Sequence, residues 1–241
     1  DGPLCAGGQG SQLRSRWLQS IYQHIRFASD NYSRYSSADN HLIGEAAGVF
    51  VAAHTWDRWE ETRRLRAQAK SILEREAVRQ FSADGVNLEQ ATCYHKFTLQ
   101  FLLAAGLCGR ANGEDFSAAY WSTIESALTF LASLMDCRGQ VPAIGDADDG
   151  EVWCLAHDSD FDSYRSLVAI GAALFRRTDL SAKARSSGVG NDGQLPWLGL
   201  GAPPLSGKGT ANDLPRSFPQ GGDTVVGEAL DTPRAFRVTF A

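Results

Sequence analysis

From Ser11 to Arg176 apolar residues recur every three or four positions, which predicts helices near 11–28, 38–54, 56–80, 90–107, 114–136 and 161–176. No convincing strand interrupts them. Segment 38–54 is apolar nearly all round (Leu42, Ile43, Ala46, Ala47, Val49, Phe50) and rich in small residues (Gly44, Gly48, Ala52, Ala53), the pattern of a helix enclosed by neighbours. Segment 56–80 instead mixes Arg58, Glu60, Glu61, Arg63, Arg64, Arg66, Lys70, Glu74, Arg75, Glu76 and Arg79 around a narrow stripe of Trp59, Leu65, Ile72 and Leu73. It reads as an outer helix whose charges are solvated. Inner-then-outer pairing repeats in 90–107 and 114–136. This predicts a mainly α fold, an incomplete α/α toroid of helix hairpins.

After Arg176 the chain turns to Gly, Pro and Ser, and from Phe218 short alternating runs (Asp223 to Gly227, Ala235 to Phe240) read as β-strands. The expected organisation is a toroid over residues 1–185, a linker over 186–216 and the first strands of a β-sandwich over 217–241. An opening without methionine and a last alternating run with no following partner read as cuts through a longer protein.

Composition narrows the classes. The 241 residues carry 23 Lys+Arg against 28 Asp+Glu, a formal charge of −5, so general nucleic-acid binding is not expected. No stretch reaches the roughly 18 uninterrupted apolar residues of a membrane-spanning helix. Five cysteines (Cys5, Cys93, Cys108, Cys137, Cys154) with no C-x-x-C pair argue against a zinc knuckle or disulfide framework; four sit in apolar surroundings and read as buried small hydrophobes. The G-x-G-x-x-G of Gly188 to Gly193 follows no strand and precedes Pro196, so it reads as loop, and His157-Asp158-Ser159-Asp160 reads as an acidic helix start.

In a stack of hairpins the second, fourth and sixth helices run parallel, so whatever precedes them shares one mouth. The most unusual polar stretches stand there: Ser36-Ser37-Ala38-Asp39-Asn40-His41, Asp84-Gly85-Val86-Asn87-Leu88-Glu89-Gln90, and Ile144-Gly145-Asp146-Ala147-Asp148-Asp149-Gly150. Helix N-termini offer unpaired N–H groups and a positive dipole end, which suits the mouth to a carboxylate or sulfate. The Asp146 to Gly150 cluster has a calcium-like composition, but an EF-hand needs Gly one place later and Glu where His157 stands. Sugar-hydroxyl binding or Asx turns suit it better.

These three stretches, the first extended through Leu42-Ile43-Gly44-Glu45-Ala46-Ala47-Gly48 and the second joined by Tyr94-His95, resemble the hallmark segments of heparinase II/III-like polysaccharide lyases. The resemblance covers roughly residues 11 to 241. It implies an α/α toroid leading into a β-sandwich, and β-elimination on uronic-acid polysaccharides (heparin or heparan sulfate-like, or alginate-like) that leaves a 4,5-unsaturated sugar. By the same resemblance Asn40 neutralises the uronate carboxylate with His41 assisting, and Tyr94 protonates the departing O4 oxygen and, for some stereochemistries, takes the C5 proton. Read from the residues alone, Asn40 also suits a helix cap, and Tyr94 suits an apolar stripe with Phe97, Phe101 and Ala105.

Glu89, Gln90, His95, Asp146 and Asp148 are the expected substrate-binding residues, with Glu89 equally suited to a helix start. No metal or cofactor is expected, and the expected partner is an acidic polysaccharide. The family adds a further catalytic histidine, and in some members a tyrosine, from the β-sandwich, so little activity is expected of these residues alone. The resemblance also implies a periplasmic or cell-envelope setting, with a cytoplasmic one left open. The rival readings are a toroid glycoside hydrolase, with Asp84, Glu89 and Asp148 as candidate carboxylates, and a non-catalytic glycan-binding protein.

Overall fold

The computed structural model describes residues 7–155, 162–186, 193–205, 210–228, 230, 232–233 and 236–240. Its helices are α1 (Gly7–Asp30), α2 (Asn40–Thr55), α3 (Thr62–Arg79), α4 (Thr92–Ala111), α5 (Ala118–Leu134), α6 (Ser163–Phe175) and α7 (Thr178–Ser186). A 3-10 turn at Ala211–Asp213 leads to β1 (Ser217–Phe218), β2 (Asp223–Glu228) and β3 (Phe236–Phe240). The strands form an antiparallel sheet in the order β1-β2-β3.

The inner helices α2, α4 and α6 touch in sequence, and α3 meets α5 behind them, giving the two layers of an α/α toroid arc. Helix α2 buries Leu42, Ile43, Ala46, Ala47, Val49, Phe50 and Ala53. Its small residues have a mechanical reason at Gly44, where a Cβ would stand 2.9 Å from ring carbons of Phe101 on α4. Gly106 on α4 allows the same closeness to Trp121 on α5, since a Cβ there would meet the indole at 2.5 Å.

Helix α3 buries the stripe Leu65, Ala69, Ile72, Leu73 and Ala77 and exposes Arg63, Arg64, Arg75 and Arg79. Two expectations for this segment are corrected. Glu76, read as solvated, is 1% exposed, and it is tolerated because Arg75 Nε donates to it at 2.8 Å and Gln80 Nε2 at 3.2 Å. The helix also starts at Thr62 rather than 56, because the chain turns through Arg58 N to Trp56 O (2.9 Å) and Thr62 N to Trp59 O (3.0 Å).

Helix α7 was not expected. The chain leaves α6 through Arg176 in the left-handed region (φ 56°), re-forms a helix at Thr178, and buries Leu180 and Ala184. Its polar sequence, TDLSAKARS, conceals that packing. The cysteines are a further correction: Cys93 is buried, Cys108 and Cys137 are half-buried and Cys154 is exposed, while Cys5 lies outside the described residues. His157 to Asp160, and the glycine run apart from Gly193, lie outside the described residues.

The sheet docks on α5 and on the 82–90 loop. Phe218, Val225 and Leu230 pack against Val86, Phe130 and Leu134, with the Phe130 and Phe218 ring centroids 4.8 Å apart. Arg237 donates from one guanidinium nitrogen to Ser133 O (2.9 Å) and Leu134 O (2.7 Å), satisfying carbonyls at the end of α5.

Candidate active site

Three loops meet over the N-terminal ends of α2 and α4. The turn before α2 is fixed by Gln80 Nε2, which donates to Ala38 O (3.1 Å) and Asp39 O (3.0 Å). The 82–90 loop closes on itself through Ser82 N to Val86 O (2.8 Å) and Leu88 N to Gln80 O (3.0 Å). The 142–150 loop is stitched to the start of α4 by Thr92 N to Ile144 O (3.1 Å), Thr92 Oγ1 to Pro142 O (3.0 Å) and Cys93 Sγ to Asp146 O (3.0 Å). Gly145 makes that seam possible: its φ is +70°, and a Cβ would stand 2.3 Å from Gln90 O.

The seam alters one expectation. At each helix start one N–H is already engaged: Asn40 N donates to Glu89 Oε1 (3.0 Å), Thr92 N to Ile144 O (3.1 Å), and Arg165 N to the capping carboxylate of Asp162 (2.9 Å).

Between the loops lies a pocket of about 420 Å³ lined by Asn40, His41, Gly44, Glu45, Cys93, Tyr94, Phe97, Phe101, Asp148 and Gly150. Asn40, His41 and Tyr94, far apart in the sequence, thus face one space. Asn40 is the first residue of α2, preceded by Asp39 at the N-cap position, and it lines the pocket. Its Nδ2 donates to Glu89 Oε2 at 2.7 Å while its backbone N–H donates to the other carboxylate oxygen, so Glu89 sets the orientation of the amide. Glu89 is a helix-start carboxylate after all, but of α2 rather than of its own helix α4.

His41 is exposed at the rim and Tyr94 is half-buried. Partial desolvation, then the negative charges around it from Asp146, Cys93, Asp148 and Glu89, hold the Tyr94 phenol above its ordinary pKa. It is a proton donor at neutral pH. Phe97 and Phe101 form an apolar wall, their centroids 4.7 Å apart in a T-shaped pair. On the facing wall, Glu45 accepts from Ser33 N and Ser33 Oγ, both at 2.7 Å.

Of the other expected substrate contacts, Asp148 lines the pocket, its Oδ1 accepting from Gly150 N (2.6 Å) in an Asx turn. Asp146 is exposed beside the pocket, and its backbone carbonyl rather than its carboxylate makes the contact with α4. Gln90 turns away: it is exposed with φ 56°, and its Nε2 donates to Gly221 O of the sheet at 3.2 Å. His95 is corrected outright. It is 2% exposed, stands between the rings of Phe81 and Phe130, and bonds Ala127 O through Nε2 at 3.0 Å. The His95 ring is thus packed on the side of α4 toward α5 and the sheet, while Tyr94 lines the pocket.

Gly44, Glu45, Cys93, Phe97, Phe101 and Gly150 belong to the lining without having been singled out. Their signal was spacing: 40, 41, 44 and 45 share one face of α2, and 94, 97 and 101 one face of α4. Behind the pocket Glu151 accepts from Lys96 Nζ, from Gln100 Nε2 (2.7 Å) and from Ser163 Oγ (2.8 Å), fastening the loop that carries Asp148 to α4 and α6. Among the described residues no group of three or more His, Cys, Asp or Glu is arranged to hold a metal ion.

Comparison with known proteins gives this geometry a context. The chain is 29% identical over 133 residues to a heparin-sulfate lyase of Pedobacter heparinus, a stretch covering 54% of this chain and 20% of that protein. Among solved structures, heparinase III superposes with a TM-score of 0.68 at 16% identity, over 95% of this chain and 32% of that one. A heparinase III gene product gives 0.64 at 21% identity, over 93% and 31%. A heparan sulfate lyase mutant from Pedobacter heparinus gives 0.59 at 16% identity, over 96% and 32%. The chain spans about a fifth of the length of the curated relative it matches, and these structural likenesses establish the fold. Residues 11–166, which include every residue lining the pocket, match the Heparinase II/III N-terminus family, and to that family the chain belongs.

Proposed function

We propose that this chain supplies the helical wall of a polysaccharide lyase active site that cleaves uronic-acid glycans of the heparin or heparan sulfate type by β-elimination. The observation that carries the reading is the meeting of Asn40, His41 and Tyr94 around one pocket of about 420 Å³. The heparin-sulfate lyase similar to this chain supports the substrate class.

Breaking the C5–H bond of a uronate builds negative charge next to a carboxylate that is already negative. Donors that strengthen their hold as that charge grows lower the barrier. Asn40 Nδ2 has two hydrogens; one is held by Glu89, and the other is directed at the carboxylate, with His41 assisting from the rim. As a base takes the C5 proton, the freed electron pair forms the C4–C5 double bond and expels the O4 oxygen, to which Tyr94 delivers its proton. The surrounding negative charge favours this acid role, because a base role needs the phenolate that Asp146, Asp148 and Glu89 oppose. Phe97 and Phe101 offer an apolar face to the sugar ring, and Asp148 accepts from its hydroxyls.

The same reading divides the chain into a helical unit to residue 185, a connection over 186–216 and a sheet from 217. It sets the enzyme in the periplasm or cell envelope; no helix among the described residues is long and apolar enough to cross a membrane. A hydrolase reading loses two of its carboxylates: Asp84 is bound to Ser82 Oγ (2.5 Å) and Gln220 N (2.8 Å) away from the pocket, and Glu89 is committed to Asn40.

The test is ultraviolet absorbance of unsaturated uronates released from heparan sulfate, heparin and alginate by the longer protein that carries this region. Tyr94→Phe is expected to lower turnover at least about 100-fold while glycan binding persists. The 241-residue chain alone is expected to turn over little. Product ends without the unsaturated chromophore, or full turnover by Tyr94→Phe, refute the proposal.

A further inference from the structure

Behind α4, on the side away from the pocket, a second and much smaller cavity of about 10 Å³ lies where the helical layers meet the sheet, lined by residues that include Asn87, His95, Phe130 and Asp223. Three of its lining residues each carry a buried polar atom with no hydrogen-bond partner within the protein: Asn87 Nδ2, His95 Nδ1 and Asp223 Oδ2. Each residue is 2% exposed. Buried polar atoms are almost always paired, so three such atoms on residues lining one cavity call for a common partner.

Their roles follow from their other contacts. Asn87 Oδ1 accepts from Glu89 N at 2.9 Å, which fixes the amide and leaves Nδ2 as a donor. His95 Nε2 faces Ala127 O at 3.0 Å, and a carbonyl only accepts, so Nε2 carries the hydrogen and Nδ1 of the neutral ring is an acceptor. The Asp223 carboxylate oxygen accepts. One donor and two acceptors are the complement of one water, which accepts once and donates twice. Buried waters typically make about three hydrogen bonds, and the space one needs is on the order of 10 Å³.

We propose that a single ordered water occupies this cavity, accepting from Asn87 Nδ2 and donating to His95 Nδ1 and Asp223 Oδ2. It joins the 82–90 loop and α4 to the first long strand of the sheet. It goes beyond the proposed activity and does not depend on it. Phe130 packs on Phe218 nearby, and Val86, Leu134, Val225 and Leu230 belong to the same apolar cluster, so the water is the polar centre of an otherwise apolar joint.

A crystal structure of the chain at a resolution that shows ordered solvent is expected to place one water within hydrogen-bond reach of all three atoms. In solution, a cross-relaxation peak between a long-lived water and the His95 ring, together with an unprotonated, hydrogen-bonded Nδ1 nitrogen shift, is expected. Asp223→Leu, which puts a side chain in the cavity, is expected to abolish both signals. Should that variant fail to fold, the wild-type measurements still decide. A cavity without density, or one closed by direct contact of Asp223 with Asn87 or His95, overturns the proposal.

Discussion

His95 makes a sharp prediction about acid. Complete burial among Phe81, Phe130 and the sheet drives its pKa down from an ordinary 6.5 to about 4, against the smaller opposing pull of Ala127 O. The folded state therefore resists protonation that the unfolded chain accepts. Stability from this group is fully present above pH 6.5 and is lost as pH falls through the window from 6.5 to about 4, because the unfolded chain binds the proton first. At about 1.4 kcal/mol per pH unit, that window is worth about 3 kcal/mol. Urea unfolding followed by tryptophan fluorescence at a series of pH values measures it. Other carboxylates titrate nearby, so the comparison is with His95→Gln, which keeps an N–H for Ala127 O and has no titrating ring. The stability difference between the two proteins should move by about 3 kcal/mol in favour of the variant between pH 7 and pH 4. Parallel curves, or a ring that titrates above pH 6 by NMR, would refute the account of His95 as a buried neutral wedge.

Gly85→Ala is expected to cost at least about 2 kcal/mol, lowering the melting temperature by about 5 °C or more. Its φ is +95° and the new Cβ would meet backbone atoms of Ser126 at 2.3 Å, atoms that cannot step aside. Glu89→Ala removes both acceptors of Asn40; it is expected to lose on the order of 1–2 kcal/mol in a chemical melt and, in the longer protein, to reduce lyase turnover by more than that loss explains. Glu89→Gln keeps one acceptor and sets an NH2 group against the second Asn40 donor, so it should recover only part of the stability, and unchanged turnover in the alanine variant would show that Asn40 needs no such anchor. Thiol labelling of the native chain should modify exposed Cys154 well before buried Cys93, and the reverse order would contradict the packing of α4 against the 142–150 loop.

The inner and outer helices were legible because burial writes itself into the sequence as periodicity: α2 is apolar nearly all round, and α3 is charged except along its stripe. The meeting of Asn40, His41 and Tyr94 was legible for a related reason, since alternating helix directions bring the starts of α2 and α4 to one end. What could not be read is how polar groups pair once there. Glu89 sits next to α4 in sequence yet caps α2, and Glu76, in a run of charges that looks solvated, is buried under Arg75 and Gln80. His95 belongs to the core instead, because the rings of Phe81 and Phe130 and the Ala127 carbonyl that enclose it come from elsewhere in the chain. Helix α7 escaped notice because its short polar sequence is folded by contacts with α5 and α6 rather than by its own pattern.

Strand β3 pairs with β2 along Phe236 to Phe240, and among the described residues no strand lies on its other side. Phe236 and Phe240 stand 69% and 59% exposed at its two ends. A strand at the edge of a sheet with aromatic flanks is a template for another strand. Handled alone at high concentration, this chain is therefore expected to self-associate through that border, and solubility work on it begins with charged substitutions there rather than on the helices.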